Sequence, residues 1–266
     1  MKITPKKIKL FQEKILSWYT KNKRDLPWRK TTNPYEILVS EIMLQQTQVD
    51  RVIPYYLKFM TSFPTLQALA KAEKEILLGH WSGLGYNNRV LRLQECAKLL
   101  TKQERTIPSS EEQLVTLPGI GPYTARAVVA FACNKEVPVI DTNIRRIFIH
   151  EFKLDEKISL KEMEDIAKIC IPKGKSCIWH NALMDYGALI LTAKKTKIKS
   201  LSQQSKFVGS DRYLRGQVIK LLIEKKEITL QEIKAKFKYP NTKEILYKMQ
   251  QDNLIEINKN IIKIKK

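Results

Sequence analysis

The 266-residue chain is long enough for one large domain or two smaller ones, and hydrophobic residues at 43% supply a core. With 48 Lys and Arg against 27 Asp and Glu, its net charge of +21 points to a polyanion such as DNA or RNA, with an anionic membrane surface as the alternative. No apolar run approaches the roughly 18 residues of a membrane-spanning helix, and MKITPKKIKL lacks the apolar core of a signal peptide, so the expectation is a cytoplasmic protein, nucleoid-associated if bacterial, without a membrane partner.

Helical spacing begins at once, with Phe11, Ile15 and Trp18 on one face, and with nine glycines in the chain the class is mainly α. A basic, aromatic loop, Lys23 to Arg29, follows. Asn33 then caps a helix opened by Pro34 that carries Leu38, Glu41, Leu44 and Gln46. Glu41 lies three residues from both Leu38 and Leu44, so it shares their apolar face. A buried carboxylate without a partner has a raised pKa and becomes a proton donor near neutrality; the alternative is a boundary glutamate paired with an arginine.

Short helices are expected to begin at Pro54 and Pro64, before the glycine-flanked turn Trp81 to Arg89. Tyr86 on that turn could wedge into a base stack or pack on the helix that follows, Arg89 to Leu100. Ser109 and Glu112 are spaced as a capping box ahead of Leu117-Pro118-Gly119-Ile120-Gly121. There two glycines allow positive backbone dihedrals and close approach of main-chain N–H groups to a ligand, and Pro122 opens a helix whose N-terminus is an anion site. One buried helix, Thr124 to about Cys133, fits within the 20 residues between Gly121 and Asp141.

Further helices are expected around Leu160–Ile171 and Ile178–Leu191, followed by a lysine-rich segment, Ala193 to Lys199. From Asp211 three amphipathic helices precede a hairpin, Leu254–Ile257 and Ile261–Ile264, in the order of a winged helix. Cys96, Cys133, Cys170 and Cys177 are 37, 37 and 7 residues apart, a spacing that makes free thiols, not a metal cluster, and His80, His150 and His180 are packing residues.

LPWR (Leu26 to Arg29), SEIMLQQTQV (Ser40 to Val49), GLGY (Gly83 to Tyr86), LPGIGPYTA (Leu117 to Ala125), VIDTNIRR (Val139 to Arg146) and NALMDYGA (Asn181 to Ala188) occur in an order and spacing that resemble the helix-hairpin-helix DNA glycosylases, specifically the MutY-type adenine DNA glycosylases. The resemblance implies a two-lobed core, residues 1–209, with Glu41 on one side of a cleft and Asp141 with the hairpin on the other. A winged-helix-like domain, residues 210–266, follows; it could add DNA contact, bind a partner or cap the core.

The resemblance makes Glu41 the general acid and Asp141 the carboxylate facing the sugar cation, with Tyr123 and Asn143 lining the site. It places Arg29 and Leu44 at the adenine pocket, Gln46 in the gap left in the duplex, Tyr86 beside the opposite base, and Gly119 and Gly121 on the DNA backbone. Where bifunctional relatives resembling endonuclease III have a lysine, Tyr123 carries a phenol that cannot form a Schiff base, which implies a monofunctional glycosylase. The implied partner is double-stranded DNA with adenine mispaired with 8-oxoguanine or guanine, bound by a monomer.

Such relatives usually hold a four-iron, four-sulfur cluster on four cysteines. At that spacing this chain has Leu191, Ile198, Leu201 and Phe207, so no iron–sulfur cluster and no other cofactor is expected, and the four are expected to pack as an apolar plug in the clusterless loop 191–209. After Gly209 too few residues remain for the Nudix-like domain that reads 8-oxoguanine in the family. The alternatives are a glycosylase for thymine or uracil opposite guanine, and a non-catalytic DNA-binding protein.

Overall fold

The computed structural model describes residues 3–199 and 206–266. Helix α1 (Pro5–Asn22) starts where the Thr4 hydroxyl accepts the Lys7 N–H and Pro5 occupies a turn that needs no N–H. A 3₁₀ turn (Pro27–Arg29) leads to α2 (Pro34–Leu44), α3 (Val49–Ser62), α4 (Leu66–Lys71), α5 (Lys74–Trp81) and α6 (Asn88–Lys102). The hairpin follows as α7 (Glu111–Leu114) and α8 (Pro122–Ala132), then α9 (Thr142–Phe152), α10 (Leu160–Ile169), α11 (Ser176–Leu189) and α12 (Ala193–Thr196). The chain ends with α13 (Asp211–Lys225), β1 (Glu227–Thr229), α14 (Leu230–Phe237), α15 (Thr242–Gln251), β2 (Ile255–Asn258) and β3 (Ile261–Ile264).

These elements divide into two compact units, one within residues 1–41 and 107–203, the other within 42–106 and 204–266. Glu41 and Asp141 thus belong to one unit, where the sequence reading set them on opposite lobes; the division falls inside α2. In the first unit α1, α9 and α11 pack together. Phe11 sets its ring edge against Phe148, Phe152 and Trp179 at centroid distances of 5.7, 5.1 and 5.4 Å, the geometry that aromatic quadrupoles favour.

In the second unit α3 to α6 enclose Val52, Phe59, Leu77, Trp81 and Leu100. The C-terminal segment packs against α5 through α13, and Lys74 Nζ donates to the carbonyls of Asn253 and Lys266. Its helix–strand–helix–helix–hairpin order is that of a winged helix, in an antiparallel sheet ordered β1-β3-β2. Buried Ile262 on the central strand faces Ile228 on one side and Ile257 on the other. Strand β1 completes the sheet at three residues, too short for an alternation signal in the sequence.

Several boundaries depart from expectation. Pro54 lies inside α3, which begins at Val49; Val52, Tyr56 and Phe59 bury one continuous stripe across it, and the Pro54 ring faces solvent, where the carbonyl it leaves unbonded can be hydrated. The N-cap of α7 is Ser110, accepting from Gln113, and not Ser109: of two adjacent serines, the helix uses the one whose register buries Leu114. Gln46 lies beyond the end of α2 in the left-handed region, φ 60°. Helix α9 follows Asp141 directly, and α12 gives the lysine-rich segment one helical turn capped by Thr192.

Phe11→Ala is expected to lower unfolding free energy by about 3–5 kcal/mol in urea titration, because one ring joins three helices and the cavity cannot collapse onto small neighbours.

Candidate active site

Glu41 occupies the buried side of α2 beside Leu38, and only 7% of it is exposed. Among the described residues no cation forms an ion pair with its carboxylate. Burial first, then the negative charge of Asp141, push its pKa from 4.5 up to about 7, while Arg29 pulls the other way. The burial expected from the spacing of Leu38 and Leu44 is found, and the ion-paired alternative is not.

Asp141 is the N-cap of α9. Its Oδ1 accepts the Ile144 N–H at 2.7 Å and its Oδ2 accepts the Asn143 amide at 3.0 Å. Burial raises its pKa; the donors from Ile144 and Asn143 and the charge of Arg146 offset only part of that rise. Asn143 is held in turn, since its Oδ1 accepts from both terminal nitrogens of Arg146 at 3.1 and 3.0 Å, and Arg146 also donates to the Gly187 and Leu191 carbonyls. The run entering Asp141 is fixed by His180, whose Nε2 accepts the Val139 N–H at 3.2 Å while Nδ1 donates to the Ser176 carbonyl at 2.8 Å. Burial lowers His180 to about 4, so it is a neutral packing residue.

Gly187 on α11 touches the same arrangement. A Cβ there would stand 2.8 Å from Asn143 Cβ and 3.3 Å from the Asn143 carbonyl carbon, so α9 and α11 approach as they do only because the side chain is absent.

Arg29 is clamped by Asp185, which is fully buried and accepts from Arg29 Nη1 and Nη2 at 2.8 Å each, from Arg24 Nε at 2.6 Å and from the Arg24 N–H at 3.0 Å. Burial alone would raise the Asp185 pKa; these donors outweigh it and the carboxylate is held below its usual range. Tyr123, second residue of α8, is 37% exposed. The protein packed around it, and then the charges of Glu41 and Asp141, hold its phenol well above the ordinary value, so it stays a neutral hydroxyl. Ahead of it Gly119 takes φ 79°, as expected, whereas Gly121 has φ −90° and is the N-cap of α8 with no side chain to offer its N–H groups. Arg126 ties α8 to α7 by an ion pair to Glu111 and to α10 by one to Glu164.

Leu44, Gln46 and Tyr86 lie in the second unit. Leu44 ends α2 half-buried and Gln46 is exposed. Both turns are gathered by Arg89: its Nη1 donates to the carbonyls of Ile42, Met43 and Gln45 at 2.7, 3.0 and 2.6 Å, and its Nη2 to that of Gly85 at 3.0 Å. Burial pushes its pKa down to about 10, and it remains a cation at neutrality. Arg89, Asp185, Arg146 and Gly187 were not singled out from the sequence, though Arg146, Asp185 and Gly187 stand inside the recurring blocks.

At the positions where relatives carry cluster cysteines, Leu191 and Ile198 are buried in the first unit's core. Phe207 belongs to the second unit, 50% exposed and edge-on to Tyr213, so it is no part of a buried plug. Leu201 lies outside the described residues. Leu191, Ile198 and Phe207 carry no thiolate, so the described residues at these positions do not fit a four-iron cluster, and the cysteines stand elsewhere as free thiols. No helix of the described residues is long and apolar enough to cross a membrane.

Residues 39–173 match the family described as HhH-GPD superfamily base excision DNA repair protein. The adenine DNA glycosylase of Mycolicibacterium smegmatis is 36% identical over 230 residues, covering 78% of each chain. That of Buchnera aphidicola subsp. Baizongia pistaciae is 38% identical over 196 residues, 71% of this chain and 55% of the relative, so the chain spans little more than half of that protein's length. A solved thermostable thymine-DNA glycosylase superposes with a TM-score of 0.66 at 29% identity, covering 71% of this chain and 90% of the other. The chain belongs to the HhH-GPD superfamily of base excision DNA repair proteins.

Because the folded pKa of Glu41 is raised, its contribution to stability is intact below 4.5 and lost as pH rises through about 7. Glu41→Gln is therefore expected to stabilise the protein at pH 8 by up to about 3 kcal/mol, a gain that vanishes at acid pH, measured by urea titration across that range. Gly187→Ala is expected to destabilise by about 1–3 kcal/mol in the same assay, because the added carbon forces α9 from α11.

Proposed function

We propose that this chain is a monofunctional DNA glycosylase that hydrolyses the N-glycosidic bond of adenine mispaired with 8-oxoguanine or guanine. The observation that carries the reading is Glu41, a buried carboxyl raised to about 7 within the same compact unit as Asp141, Tyr123 and Asn143. Adenine leaves poorly as an anion. Protonated Glu41 gives its proton to a ring nitrogen, the bond from that base to the sugar carbon breaks, and positive charge spreads over the deoxyribose. Asp141 stabilises that cation, the division of labour between two carboxylates used in glycoside hydrolysis. Water then supplies the oxygen and gives its proton to the Glu41 carboxylate left by the first step, and Tyr123, with no amine, forms no covalent bond to the sugar.

The remaining residues hold the DNA. Gly119 and Gly121 present the open N-terminus of α8 to a phosphate. Arg29 and Leu44 border the adenine pocket, Gln46 fills the gap, and Tyr86 presses beside the opposite base, offsetting an unstacking cost of a few kcal/mol. The enzyme acts on duplex DNA as a monomer in the cytoplasm, without an iron–sulfur cluster. Likeness to a thymine-DNA glycosylase fold favours a second reading, thymine opposite guanine. A pyrimidine, however, offers no ring nitrogen that requires an acid at Glu41.

Single-turnover assays on duplexes with A:8-oxoG, A:G and T:G separate the readings. Adenine release is expected, with Glu41→Gln and Asp141→Asn each slower by about 10²- to 10⁴-fold. Thymine release without adenine release would establish the second reading. The rate should fall as pH rises above about 7, where Glu41 loses its proton, and fall again in acid as Asp141 gains one, the two limbs reporting the coupled pair. Iron and sulfide analysis of protein purified without oxygen should find neither; about four irons per chain would contradict the clusterless reading.

A further inference from the structure

Tyr86 is not held by its own turn alone. Arg212, the second residue of α13, donates from Nη1 to the Tyr86 hydroxyl oxygen at 2.8 Å, and its guanidinium carbon lies 5.2 Å from the ring centroid. The Arg89 guanidinium lies 5.6 Å from the same ring. Tyr86 itself takes φ 50°, a left-handed conformation that costs a non-glycine residue about 1–2 kcal/mol, and the ring stays 37% exposed. An aromatic side chain kept partly in solvent on a strained backbone, with cations on its ring and hydroxyl, is pre-organised to contact something outside the protein.

The chain entering α13 has matching chemistry. Val208 is 80% exposed and Phe207 half so, with Lys206 before them and Arg212 after. Lys206, Val208, Gly209, Ser210, Asp211 and Arg212 line an open hollow of about 540 Å³, with one carboxylate against two cations. Exposed apolar tips between cations suit a DNA strand, where cations meet phosphates and apolar side chains meet base edges.

We propose that residues 206–212 and Tyr86 form one surface for the DNA strand opposite the excised base, and that Arg212 is a positioning residue that sets Tyr86 and thereby the discrimination between opposite bases. The proposal rests on the glycosylase reading above and gives the winged-helix segment a place in the specificity of that reaction. Arg212 spans from the C-terminal segment to the turn before α6, so the segment acts through one hydrogen-bonded aromatic and needs no pocket of its own for the opposite base.

The test uses the full chain and single-turnover adenine release from A:8-oxoG, A:G and A:C duplexes, read as the ratio of rates between opposite bases. Arg212→Ala and Tyr86→Phe are each expected to change that ratio about fivefold to tenfold, the net worth of one typical hydrogen bond, and the double variant to change it no further. Arg212→Lys should keep part of the discrimination. Arg215→Ala serves as the control: it breaks the Arg215–Asp252 ion pair on the same helix without touching Tyr86, and should leave the ratio unchanged. An unaltered ratio in Arg212→Ala, or an equal change in Arg215→Ala, would overturn the proposal. Absence of adenine release from the unaltered chain would instead overturn the underlying reading, and the proposal with it.

Discussion

The site depends on a carboxylate at the N-terminus of a buried helix. Asp141 satisfies one of the N–H groups that α9 would otherwise leave unbonded, and α9 in return lowers the cost of a negative charge in a place where water is scarce. Burial still wins, so the Asp141 pKa stays above its usual range. Burial, and after it that same charge, lifts Glu41. Two carboxylates in one low-dielectric unit cannot both ionise freely, and the one without backbone donors keeps its proton to higher pH.

Within each unit the protein uses guanidinium groups as fasteners. Arg146 links Asn143 to the end of α11, Arg29 and Arg24 converge on Asp185, and Arg89 collects the carbonyls at the end of α2 and in the turn before α6. Each guanidinium has donors pointing in several fixed directions, so one side chain satisfies carbonyls from segments far apart in sequence. A chain with an excess of 21 positive charges therefore spends part of that charge inside, and what remains on the surface, as at Lys206, is available to a polyanion.

The burial of Glu41 was legible in the sequence because Leu38 and Leu44 flank it at helical spacing, and the winged helix because its helices and hairpin carry clean periodicity. What was not legible is what joins distant segments. Nothing local shows that Asp185 accepts Arg29 from 156 positions away, or that Arg89 holds the carbonyl of Ile42. Helix α9 is readable in the sequence, as Asp141 precedes Ile144, Ile147 and Phe148 in the manner of an N-cap before an apolar stripe. Pro54 misled because a proline rule about helix starts yields to a buried stripe that runs through it.

The central claim is that Glu41 holds its proton up to about neutrality because burial, and then the charge of Asp141, raise its pKa. Carbon-13 NMR titration of glutamate side-chain carboxyls, with Glu41→Gln to assign the resonance, tests this directly. The account predicts one glutamate titrating at about 7 that shifts downward in Asp141→Asn, where the neighbouring charge is gone. A Glu41 that titrates near 4.5 in the unaltered protein, or one indifferent to Asp141→Asn, would contradict it.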